Sequence, residues 1–92
     1  MDADKLFTMM FHKLEEANDG IGRWPAFDEA GSKLSAAMYH DSGEHQLEQI
    51  LEACKEILQI MKEWEAEQEF SNEYEIINDA VKAIEDWKGD QQ

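Results

Sequence analysis

Apolar residues recur along this chain at steps of three and four, the spacing of one face of an α-helix. No segment alternates with the period of two that a strand requires. The clearest run is Leu47, Ile50, Cys54, Ile57, Met61 and Trp64, an unbroken a/d alternation widened by Leu51 and Leu58. It predicts a helix over about 44–68 with these side chains turned to the core. Leu6, Met9, Met10 and Leu14, flanked by Phe7 and Phe11, predict another over 2–17. Asp2 and Asp4 fall in its first turn, where acids complement the helix dipole, and Asn18-Asp19-Gly20 is a stop signal.

Pro25 suits a first helical position and opens a helix over 26–39 that carries Phe27, Ala30, Leu34, Ala37 and Met38. Gly31 and Ser35 weaken it, and His40-Asp41-Ser42-Gly43-Glu44 reads as a turn. Tyr74, Ile77, Ala80, Val81, Ile84 and Trp87 mark a last helix over 73–88, for which Asn72 and Glu75 match a capping box. Four helices joined by short turns predict an all-α fold, a small antiparallel four-helix bundle in a single helical domain over 1–92.

Composition supports a packed interior: 42% of the 92 residues are hydrophobic and 10% aromatic. A lone cysteine excludes an internal disulfide framework and leaves cytoplasm as the default location. No run of about 20 apolar residues exists to span a bilayer, and the acidic start lacks the basic segment of a secretory signal.

Charge changes the picture most. There are 22 acids against 8 bases, a net charge of −14. Such a chain is repelled by anionic membranes, and its scattered bases form no phosphate-binding patch, so direct nucleic-acid binding is not expected. Glu63, Glu65, Glu67, Glu69, Glu73, Glu75 and Asp79 lie within seventeen residues that hold no Lys, Arg or His. With Leu47 at position a, Glu48, Glu52, Glu56 and Glu63 also point away from the core. Like charges at i, i+4 spacing cost a helix a few tenths of a kcal/mol per pair. These ten acids are either a solvated surface or a docking face for a basic partner.

Candidate chemistry is sparse. His40, Asp41, Glu44 and His45 hold metal-ligating atoms within six residues but match no standard zinc spacing. Glu15/Glu16 and Glu48/Glu52 are carboxylate pairs of the kind that hold Mg²⁺, yet the latter map to an outer face. Cys54 occupies a core position without a neighbouring base. No catalytic residue, metal or cofactor is assigned. Gly20–Phe27 contains Arg23 and Trp24, residue types favoured at interface hot spots, on a loop whose Ile21, Trp24 and Phe27 also suit a plug for the end of the bundle.

In size, acidity and helical pattern the chain resembles small acidic inhibitors, including nucleic-acid mimics carried by phages and mobile elements, and some bacterial immunity proteins. The likeness is one of composition. It implies a non-enzymatic inhibitor that sets carboxylates where phosphates would bind, in the basic groove of a nucleic-acid-processing protein. Two other readings stand beside it: a homodimeric helical adaptor or regulatory protein using apolar seams on the first and third helices, and a metal-dependent helical hydrolase.

Overall fold

The computed structural model describes residues 1–91 and contains four α-helices: α1 (Ala3–Ile21), α2 (Asp28–His40), α3 (Gly43–Glu63) and α4 (Ser71–Asp90). No strand occurs among the described residues. A 3-10 turn, Pro25–Phe27, leads into α2. The helices close into a ring in chain order, with extensive α2–α3, α3–α4 and α1–α4 interfaces and a looser seam between α1 and α2. Neighbours run antiparallel. Trp87, near the end of α4, donates its indole N–H to the Met1 carbonyl at 3.1 Å. At the opposite end Gly20 of α1 leaves room for Glu73 of α4, because a Cβ there would stand 2.7 Å from that carboxylate.

The apolar stripes meet as their spacing requires. Leu14, Ile21, Leu34, Leu47, Ile50, Ile57, Ile77 and Ile84 are fully buried, and each such side chain contributes about 1.5–3 kcal/mol through the apolar surface it removes from water. The radius of gyration is 12.4 Å, as expected for a compact chain of this length.

Several helix boundaries depart from the sequence reading, and the larger shifts have a local cause. Asp2 is the N-cap of α1, its carboxylate accepting from the Lys5 amide at 2.8 Å. The stop expected at Asn18-Asp19-Gly20 does not act, and α1 runs on to Ile21. Asn18 is instead a cross-link: its amide donates to the Ser35 hydroxyl at 2.8 Å and to the Gly31 carbonyl at 3.3 Å, tying α1 to α2. Asp41 and Ser42 form the expected turn before α3, and Gly43 takes a φ of +65° that suits only glycine comfortably.

The third helix ends at Glu63, five residues before the expected limit. The Ala66 amide donates to the Met61 carbonyl at 2.8 Å and the Glu65 amide to the Lys62 carbonyl at 3.2 Å. These are the paired bonds of a Schellman stop, with Glu65 in the left-handed position at φ +53°. Trp64, assigned inward by the a/d pattern, is therefore 65% exposed. Its place is taken by Ala66 and Phe70, both buried. The fourth helix begins at Ser71 after Phe70, whose side chain makes no capping bond, so the capping box expected at Asn72 and Glu75 does not form.

Candidate docking surface

Both connections at one end of the bundle converge on Phe70. Trp24, from the α1–α2 connection, sets its ring edge-on to Phe70 at 5.1 Å between centroids, and Phe27 does the same at 5.6 Å. Ile21 and Phe27 are buried while Trp24 keeps 39% of its surface exposed. The loop is thus a plug for the bundle end, and it also carries Trp24 and the exposed Arg23 at the surface. That end holds the acidic connection as well: Glu63, Glu65 and Glu69 are exposed and Glu67 half-buried, with Trp64 among them. The proposed loop anchor and the four acids of residues 63–69 are brought to one end by the fold.

The remaining acids lie elsewhere. Glu56 faces α2, where both of its carboxylate oxygens accept from the Lys33 ammonium at 3.0 and 3.2 Å. Lys33 also lies 3.7 Å from Glu29. The Glu56 hydrogen bond and charge, helped by Glu29, hold the Lys33 ammonium above its usual pKa. Glu48 and Glu52 are exposed on α3, two turns and one turn before Glu56 respectively. On the other flank, Glu75 and Asp79 border a groove between α4 and α1, together with Glu16. Glu73 points toward Gly20. In a ring of four helices the α2–α3 and α1–α4 seams are opposite, so the ten candidate acids do not share one wall. They occupy two flanks and one end.

Intramolecular cations neutralise very few of them. Among the described residues Lys33 is the one Lys or Arg that forms an ion pair; the remaining contact is His45 with Asp41 at 3.8 Å. No group of three or more metal-ligating side chains is assembled among the described residues, so His40 and Glu44 do not join that pair in a ligand set. Glu15 accepts a hydrogen bond from the Tyr39 hydroxyl, which raises the phenol's pKa. Cys54 is fully buried, and burial pushes its thiol up to about 12.

Sequence reasoning missed two polar residues that hold this frame. Gln46 is buried, and its side-chain amide donates to the Ala37 and Met38 carbonyls at 3.1 and 3.2 Å, capping the end of α2 from the first turn of α3. Asn18 is the other. Neither belongs to an apolar stripe, and no local pattern distinguishes them from solvent-facing amides.

No family profile matches the chain, and neither a curated protein nor a solved structure shows significant similarity to it. No helix among the described residues is long and apolar enough to cross a membrane.

Proposed function

We propose that this chain is a non-enzymatic interaction protein that docks its carboxylates on a basic groove of a nucleic-acid-processing protein and so competes with phosphates for that groove. The observation that carries this reading is the near absence of internal neutralisation: 22 acids and 8 bases produce ion pairs at a single lysine among the described residues. A duplex as long as the molecule's 35 Å axis has about 20 phosphates, against a net −14 here. Acids on two flanks and one end suit a concave site that embraces the bundle better than a flat one. Trp24 and Trp64, exposed among the acids of one end, add the aromatic anchors on which interfaces concentrate their affinity.

Immobilised protein should capture a basic partner from lysate at low salt and release it as ionic strength rises, because the association is electrostatically steered and screened. Reversing Glu65, Glu67 and Glu69 to Lys should reduce capture. Capture of the same partner that is indifferent both to salt and to these reversals overturns the reading.

A further inference from the structure

The groove between α1 and α4 has a volume of about 430 Å³. Its α1 wall, from Leu6 to Glu16, and its α4 wall, from Asn72 to Ala83, each extend for about 15 Å at the helical rise. Because the two helices are antiparallel, the groove is graded along its length. Leu6, Met9 and Ala83 make one end apolar, Met10, Ile76 and Ala80 continue the floor, Glu16 and Glu75 rim the other end, and Asp79 stands on the α4 wall between the two ends. Met9 forms an apolar lip that is 67% exposed. Lys13 also lines the groove, so three carboxylates against one ammonium leave the rim with a net −2.

We propose that this groove seats a basic amphipathic helix of a partner protein, with apolar side chains on Met9, Met10 and Ile76 and a lysine or arginine against Glu75 and Asp79. The inference rests on the reading of the chain as an acidic docking protein and names the surface and the class of partner. A length of about 15 Å matches three helical turns, hence apolar anchors at i, i+4 and i+7. Charge complementarity selects the sign of the partner. A second copy of this chain would set rim carboxylates against carboxylates on a molecule of net −14, and a wholly apolar ligand would leave the rim without a counter-charge.

The test uses a fluorescein-labelled peptide of about three turns, with Leu at i, i+4 and i+7 and Lys at flanking positions, followed by anisotropy. Binding is expected to fall about tenfold with E75K/D79K and about threefold with Met9→Ser, two charge contacts and one exposed apolar contact respectively. Circular dichroism should show both variants fully folded. A companion peptide with Ser in place of Leu should bind at least tenfold more weakly. Equal binding of the two peptides, or no binding of the Leu peptide, overturns the groove assignment. Loss of binding with E65K/E67K/E69K but not with E75K/D79K also overturns it, while leaving the broader docking reading intact. Sedimentation that reveals a dimer broken by Met9→Ser makes a second copy the occupant and overturns it too.

Discussion

The Ala66 amide donates to the Met61 carbonyl at 2.8 Å, and together with the Glu65–Lys62 bond beside it this turns the chain out of α3. Ala66 is buried, Trp64 stays at the surface, and Glu65 takes a left-handed backbone. The acidic end of the bundle is built on this stop.

Glu65 is strained there, since a side chain in the left-handed region costs about 1–2 kcal/mol. Glu65→Gly should therefore stabilise the protein by about 1 kcal/mol and raise the melting temperature by roughly 4–8 °C. Glu65→Val should lower it. Equal melting temperatures for the two variants would contradict the left-handed assignment.

Gln46 caps α2 across the turn. Gln46→Met keeps the shape of the side chain and removes both donors, leaving the Ala37 and Met38 carbonyls without them. A loss of about 1–3 kcal/mol is expected in urea unfolding, with an unchanged slope.

The tryptophans should separate sharply. Trp64→Ala removes a side chain that is 65% exposed and should change stability by no more than about 0.5 kcal/mol. Trp87, 8% exposed, should cost about 3–5 kcal/mol on truncation to Ala. Acrylamide should quench the fluorescence of the native protein less once Trp64 is gone, with Trp24, 39% exposed, as the remaining accessible indole.

Cys54 should be inert to thiol reagents in the folded protein and react freely in urea, because burial keeps the thiol protonated up to about 12. Its pH linkage follows from the same shift. Above the ordinary value of 9.0 the unfolded thiol loses its proton while the folded one keeps it. The unfolded state then binds fewer protons, and stability falls as pH rises, by at most about 1.4 kcal/mol per pH unit. Cys54→Ala should flatten the decline between pH 9 and the folded value, measured as the urea midpoint against pH. The raised Tyr39 and Lys33 pKa values act in the same direction and leave a residual slope in that variant.

The number and order of the helices, and most of the side chains each buries, were legible in the sequence; Met9 and Trp64, both assigned to apolar faces, are instead 67% and 65% exposed. The three-four spacing of Leu47 to Met61 or Ile77 to Trp87 is a local property: any helix built from those residues has one apolar face, and burying four such faces requires a bundle. The outward direction of Glu48 and Glu52 was legible for the same reason.

The ends of the helices, the fate of particular aromatics and the grouping of the acids were decided only by tertiary contacts. Trp64 continues the a/d pattern as well as Met61 does, but Ala66 and Phe70 fill the core there, with Trp24 and Phe27 set against Phe70 from more than forty residues away. Asn18 looks like a stop until Ser35 gives its amide a partner across the seam. Helical periodicity states that Glu56 and Asp79 avoid the core, not which neighbouring helix each will face. That depends on how the ring of helices closes, and the closure sets Glu56 beside Lys33 while Asp79 borders α1. Periodicity is carried by bonds along the chain, whereas the shape of the charged surface arises between segments whose relative placement no local pattern encodes.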